Sequence, residues 1–220
     1  MSQPSAPDVP VVAIVGGTGP LGRGLAKRLA RGGVQVVLGS RDAVRAADAA
    51  AGLGSGVSGT TNEDCVTDAG IVLVAVPWDA HREVLTALAG ALAGKVVVDC
   101  VNPLAFDRHG PYVPHVAEGS AAMQARTLLP GSTVLAAFHH LSAVTLLDDE
   151  VAALDADVLV LGDDRAATDL VQSLASRIAG CRGIYAGRLR NAGQVEALTA
   201  NLIAINRRYQ AHARLRVTDV

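Results

Sequence analysis

"VAIVGGTGPLGRG", residues 12–24, joins a short β-branched run to a glycine-rich turn and the start of a helix. Gly17-Thr18-Gly19-Pro20-Leu21-Gly22 fits G-x-G-x-x-G, the spacing of a turn that presents backbone N–H groups to a pyrophosphate. In that reading Gly17 makes the tight turn, Gly19 lets the phosphate approach the backbone, and Gly22 lets helix and strand pack closely. Pro20 suits a first helical turn, where its missing N–H costs nothing. The free N–H groups and dipole of that helix end attract an anion. A turn kept for packing alone would leave unexplained both the spacing and the position after the first strand.

Outward from this turn the pattern alternates. A helix is expected over residues 20–31, with Leu21, Leu25 and Leu29 on one face and Gly32-Gly33 ending it. "VQVVLGS" reads as the second strand and "DAVRAADAAAGL" as a helix. "AGIVLVAVP" is a further strand, "AHREVLTALAGAL" a helix and "GKVVVDCVNP" another strand. "TVLAAFHH", "DADVLVLGDD" and "RGIYAG" read as later strands, and a long helix is expected over about residues 192–214. Nearly continuous apolar strands between amphipathic helices mean a parallel sheet covered on both faces. The expected class is α/β: a doubly wound, mostly parallel sheet with a small C-terminal α/β extension.

Composition narrows the function. Half of the 220 residues are apolar and the formal charge is only −2, so no basic face is set out for nucleic acid. No apolar run approaches the roughly 20 residues that span a bilayer. "MSQPSAPDVP", residues 1–10, reads as a loose polar tail and not as a signal peptide. Cys65, Cys100 and Cys181 are scattered without a CxxC pair, as expected of reduced thiols in a cytoplasmic protein, and no metal site is expected.

The second strand selects the dinucleotide. A site for NAD places Asp or Glu about 20 residues beyond the glycines, to accept from the ribose 2′-OH. Here "VVLGSRD" puts Ser40 and Arg41 at that point, and a hydroxyl with a guanidinium suits a 2′-phosphate. Asp42 is a contrary acid, but it follows Arg41. NADP(H) is the expected ligand. Short-chain dehydrogenase catalysis is excluded, because its Tyr-x-x-x-Lys pair is missing: Tyr112, Tyr185 and Tyr209 are followed four residues on by Val116, Leu189 and Ala213.

The ordered set "GGTGPLGRGLAKRLA", "VVLGSRD", "TNEDCVTDAGIVLVAVPW", "KVVVDCVNPL", "VLAAFHHLSA", "VLVLGDD" and "GRLRNAGQVEALTANLIAIN" spans about residues 11–206. In this combination the chain resembles the F420-dependent NADP reductases. The resemblance implies a Rossmann-like NADP-binding domain over residues 11–140 and a small C-terminal portion over 141–220 that completes the F420 site. It also implies a homodimer and hydride transfer between NADP(H) and the 5-deazaflavin coenzyme F420.

It carries over Thr18, Gly19 and Leu21 to the phosphate loop and Ser40 and Arg41 to the 2′-phosphate. Val76, Pro77 and Trp78, with Asn102 and Pro103, fall on the edge where ligands lie, and His139 falls near the meeting point of the two rings. There His139 would orient the deazaflavin or assist protonation of its ring nitrogen, or serve as a hydrogen-bonded structural histidine. Asn191, Glu196 and Thr199 fit the C-terminal pattern, which a helix face packing on the core explains equally well. Arg188, Arg190, Arg207 and Arg208 are available to an anionic F420 tail. The chain departs from the family pattern after His139, where it reads His140-Leu141-Ser142. Two other readings stay open: a non-catalytic NADP(H)-binding redox sensor, and an NADP-dependent imine or hydroxyacid reductase.

Overall fold

A computed structural model of the chain describes residues 9–220, so most of the tail expected over residues 1–10 lies outside the described residues. The first half alternates strand and helix: β1 (Val12–Val15), α1 (Pro20–Arg31), β2 (Val36–Ser40), α2 (Ala43–Ala51), β3 (Val57–Thr61), α3 (Asn62–Cys65), β4 (Ile71–Val74), α4 (Trp78–Leu92) and β5 (Val96–Asp99). A hairpin of β6 (Ala105–Asp107) and β7 (Gly110–Tyr112) follows, then α5 (Ala121–Leu128), β8 (Thr133–Ala136) and α6 (Ala143–Leu147). The chain continues through β9 (Ala156–Leu161), α7 (Arg165–Ala175), β10 (Cys181–Gly187) and α8 (Ala192–Tyr209).

One eight-stranded sheet runs β10-β9-β8-β5-β4-β1-β2-β3. Its pairs are parallel except at β8–β9, which meet in an antiparallel bridge between Ala136 and Leu161. The core order 3-2-1-4-5 is that of a Rossmann sheet, and the chain reverses direction across the sheet between β1 and β4. Side-chain alternation explains the two-sided cover. Val12 and Ile14 of β1 face a core built with Leu25 and Leu29 of α1 and Val171 and Leu174 of α7. Ala13 and Val15 face the opposite core, with Leu85, Leu88 and Leu92 of α4 and Ala121 and Ala125 of α5.

The expected sheet is present, and α1 runs over the expected residues, begun by Pro20 and closed by Gly32 and Gly33. The last helix stops at Tyr209 and not near Arg214, because Gln210 takes a left-handed conformation with φ of 51°. β3, with the sequence VSGTT, was not expected, since an edge strand half open to solvent needs no apolar run. After residue 141, β9 and β10 extend the same sheet. One buried side chain anchors that half to α1. Arg28 donates to the carbonyls of Thr145, Leu146, Asp148 and Val151, so the α6 turn wraps its guanidinium.

Candidate active site

At the carboxyl ends of β1, β2, β4 and β5 lies a cleft of about 600 Å³, where ligands bind in open α/β sheets. The glycine turn forms its floor. Gly16, with φ of +72°, takes the left-handed conformation of the turn, and Gly17 does not. Gly17 still belongs to the tight turn: its N–H donates to the Ile14 carbonyl at 3.1 Å, and a Cβ there would stand 2.8 Å from that oxygen. A Cβ on Gly17 would stand 2.7 Å from Leu38 Cδ2, and one on Gly22 would stand 2.7 Å from Gly17 Cα. These two glycines are buried against each other and pack the helix onto the turn.

Gly19 differs, because a Cβ there would meet only the Gly16 carbonyl oxygen, at an ordinary 3.6 Å. Protein packing therefore leaves room for a side chain at Gly19, on the surface of the cleft. Thr18, Gly19, Pro20 and Leu21 line the cleft, and no side chain caps the first turn of α1. An uncapped helix end beside bare backbone suits an anion. Asn62, which the sequence did not single out, braces the turn by accepting the Gly16 N–H on Oδ1 at 3.2 Å.

One end of the cleft is lined by Ser40, Arg41, Asp42 and Arg45. Asp42 is occupied: its carboxylate caps α2, accepting from the N–H groups of Val44 and Arg45 at 2.9 and 3.2 Å. Its own N–H donates to Ser40 Oγ at 3.3 Å. The acid that competed for a ribose hydroxyl is thus committed to the backbone. Arg45, in the first turn of α2, joins Arg41, which precedes that helix. Neither arginine has an ion-pair partner among the described residues.

The other end is lined by Ala75, Val76, Pro77 and Trp78 after β4 and by Cys100, Val101 and Asn102 after β5. Pro103 is buried behind this wall. Asn102 Nδ2 donates to the His139 carbonyl at 2.9 Å, and Thr199 Oγ1 donates to the same oxygen from α8 at 3.1 Å. Phe138, with φ of 67°, turns the chain at this point.

His139 is 2% exposed, both its ring nitrogens lack a partner among the described residues, and it does not line the cleft. Burial pushes its pKa down to about 4, leaving the ring neutral. His140 donates from Nε2 to the Asp157 carbonyl at 2.6 Å, and burial likewise lowers its pKa. Glu196, 2% exposed, receives the N–H groups of Ala121 and Ala122 at the start of α5. Burial pushes its pKa up to about 7 against those bonds. Arg188, Arg190, Arg207 and Arg208 are exposed, with Arg188 near Asp163 at 3.7 Å. Among the described residues no group of three His, Cys, Asp or Glu side chains is placed to hold a metal, and no helix is long and apolar enough to cross a membrane.

A second cavity, of about 400 Å³, lies at the far end of α1, but its Lys27 and Arg31 both pair with Asp149. That leaves the cleft at the carboxyl ends of the strands as the candidate site.

A family model described as NADP oxidoreductase, coenzyme F420-dependent, matches residues 11–103, from β1 through Pro103. The F420-dependent NADP reductase of Methanothermobacter marburgensis is 37% identical over 221 positions, covering 95% of this chain and 98% of that protein. The chain belongs to the F420-dependent NADP reductase family. The reductase of the same name from Methanothermobacter thermautotrophicus is 36% identical, with 95% of both chains covered. A solved structure from Arthrobacter sp. FB24, provisionally named an F420-dependent NADP-reductase, superimposes with a TM-score of 0.81 at 27% identity. It is covered completely, by 96% of this chain. Family membership thus extends over both ends of the cleft and over α8.

Proposed function

We propose that this chain transfers hydride between NADP(H) and coenzyme F420. The observation that carries the reading is one cleft holding three features in line. An uncapped helix end with the open Gly19 surface lies at its floor, two unpaired arginines at one end, and Trp78 and Asn102 at the other.

In this reading the backbone of residues 18–21 holds the pyrophosphate, and Ser40, Arg41 and Arg45 hold the 2′-phosphate. Val76, Pro77, Trp78 and Asn102 wall the nicotinamide. Gly17, Gly22 and Pro103 act from behind, by packing. The two cofactors would supply the hydride chemistry when bound, in either direction, so the protein's task is stacking, alignment and exclusion of water. Residues 11–140 carry the NADP(H) side, and 141–220 complete the F420 side through α8. His139 contributes shape and its carbonyl, which orients Asn102, because a neutral ring with a pKa of about 4 is a poor proton donor at neutral pH.

The protein acts as a cytoplasmic homodimer in this reading. Support for the dimer comes from exposed Phe106, Tyr112 and Val113 at the β6–β7 hairpin, and from Ile205 and Tyr209 on α8, which packs against β7.

The test is to mix purified protein with NADPH and F420 and follow the visible absorption of the deazaflavin. Bleaching is expected with NADPH and slower bleaching with NADH. No bleaching, with NADPH still bound, would leave a dinucleotide-binding protein without this activity.

A further inference from the structure

α4 carries its buried stripe at His81, Leu85, Leu88 and Leu92. The first of these is a fully buried histidine among leucines. Both of its ring nitrogens are engaged. Nε2 lies 2.6 Å from Asp99 Oδ2, and Nδ1 lies 3.0 Å from Gln124 Oε1.

The charge state follows from the bonding pattern. Gln124 donates from Nε2 to Glu118 Oε2 at 3.2 Å, so its oxygen is the atom turned toward His81. An amide oxygen only accepts, so Nδ1 carries a hydrogen. Asp99 accepts at both oxygens, Oδ2 from His81 and Oδ1 from the Val101 N–H at 3.0 Å. With Asp99 as the carboxylate of the pair, Nε2 donates to Oδ2, and a ring that donates at both nitrogens is an imidazolium. The groups facing it are Asp99 from β5, Gln124 from α5 and Glu196 from α8, with Glu118 and Arg82 paired beyond Gln124. Burial alone would lower the His81 pKa, but the hydrogen bond and charge of Asp99 outweigh it and the net shift is upward.

This buried cation touches both walls of the far end of the cleft. Its ring centroid lies 5.4 Å from that of Trp78, tilted by 34°, within the range of a cation–π contact. Trp78 lines the cleft. Through Asp99 the same cation holds the Val101 N–H, in the turn whose Val101 and Asn102 line the opposite wall.

We propose that His81 is a positioning residue, a buried imidazolium that sets the Trp78 indole and, through Asp99, the Val101–Asn102 turn as one unit. Its consequence for turnover rests on the hydride-transfer function proposed above; the contact itself does not.

Trp78 is the only tryptophan in the chain, so its emission reports on this contact directly. An imidazolium quenches indole emission more strongly than neutral imidazole. Without nucleotide, emission of the full-length protein is expected to rise in one step as pH increases, at a midpoint above the ordinary histidine value of about 6.5. Asp99→Asn, which keeps the volume and removes the charge, should move that step down by about one pH unit or more. His81→Asn should abolish it, and Glu196→Gln should retain it, which separates His81 from the other buried group titrating nearby.

With F420 and NADPH, His81→Asn should lower kcat about tenfold or more while NADPH affinity changes less than about threefold, the pattern of lost alignment. A wild-type emission flat across the range overturns the proposal even if all three variants fail to fold. So does a folded His81→Asn protein with unchanged kcat. Absence of F420 reduction by the wild type, with the emission step present, would refute the function and leave the His81–Trp78 coupling standing.

Discussion

The two ends of the cleft are built in opposite ways. The arginine end and the glycine floor come from one stretch, residues 16–45, where among the described residues Arg41 and Arg45 have no ion-pair partner and no side chain caps the first turn of α1. The Trp78 end is assembled from β4, the start of α4, β5, α5, the turn after β8, and α8, and its polar side chains are tied to one another: His81 to Asp99, Asn102 and Thr199 to the His139 carbonyl. One end offers unspent charge to a ligand. The other has used its hydrogen bonds to hold a shape, which is what alignment of two reactive rings requires.

The sharpest way to break this contrast lies within the glycine turn. Gly22→Val would place its Cβ 2.7 Å from Gly17 Cα and 2.8 Å from Gly17 O, backbone atoms with no flexible side chain to yield. We expect a loss of stability at or above the roughly 1–3 kcal/mol typical of overpacking, seen as a lower midpoint in urea. Gly19→Val should leave that midpoint within about 0.5 kcal/mol of wild type, as for surface substitutions, yet reduce NADPH affinity at least tenfold. Unchanged affinity in calorimetry would mean that the whole turn serves packing.

At the arginine end, Arg41→Ala should weaken NADPH by about 10- to 100-fold, the scale of a lost charge-assisted contact, and leave NADH nearly unmoved. Arg45→Ala should act in the same direction but less, since it lies within α2, four residues beyond Arg41. Equal weakening of NADPH and NADH would assign both side chains to the pyrophosphate or to the fold.

These two regions also differ in how much of them the sequence discloses. The turn, α1 and the Ser40-Arg41 pair depend on near neighbours in the chain, so spacing alone places them. Asn62 and Arg45 escaped because a lone polar residue on a short helix carries no pattern. His81 and Asp99, 18 residues apart, meet only because α4 folds back over β5. A signal was present even so: a histidine at the head of a leucine stripe, and an aspartate closing the apolar strand VVVD. His139 drew attention by its place in a motif, but its burial and orphaned nitrogens are set by the packing of β8 and α8, which no local pattern encodes.

The buried histidines sharpen the comparison through pH. The His139 pKa is depressed to about 4 in the folded protein, against about 6.5 unfolded. As pH falls below 6.5 the unfolded chain takes up a proton that the folded protein refuses. Unfolding is then favoured by a margin that grows until about pH 4, and amounts to about 2 kcal/mol at pH 5. His81 has the opposite sign, because its raised pKa adds stability that is complete below the unfolded value and lost as pH rises through the folded one. His139→Leu should remove only the acid-side loss. In urea titrations, the wild type should lose about 2 kcal/mol more than this variant between pH 7 and pH 5. Parallel curves would mean that His139 takes up protons in the folded state.

The smallest effect is expected where α8 reaches the cleft, and it tests whether that end works by held shape. Thr199 Oγ1 lies 3.1 Å from the His139 carbonyl and 3.3 Å from Asn102 Oδ1, donating between them. Thr199→Val keeps the branched shape and removes the hydroxyl. The His139 carbonyl keeps its bond from Asn102, so only Asn102 Oδ1 loses a donor, and the stability cost should stay near the 1 kcal/mol of one ordinary hydrogen bond. What changes is the freedom of the Asn102 amide, now held at one end only. Turnover with F420 should fall by less than about tenfold, and NADPH affinity should stay the same, because the contacts at the arginine end lie on other elements. Thr199→Ser, which restores the donor, should recover the rate. A loss that Ser does not rescue would show that α8 acts through the packing of its methyl group, and the ring end would then owe its geometry to apolar contact more than to the hydrogen bonds that converge on His139.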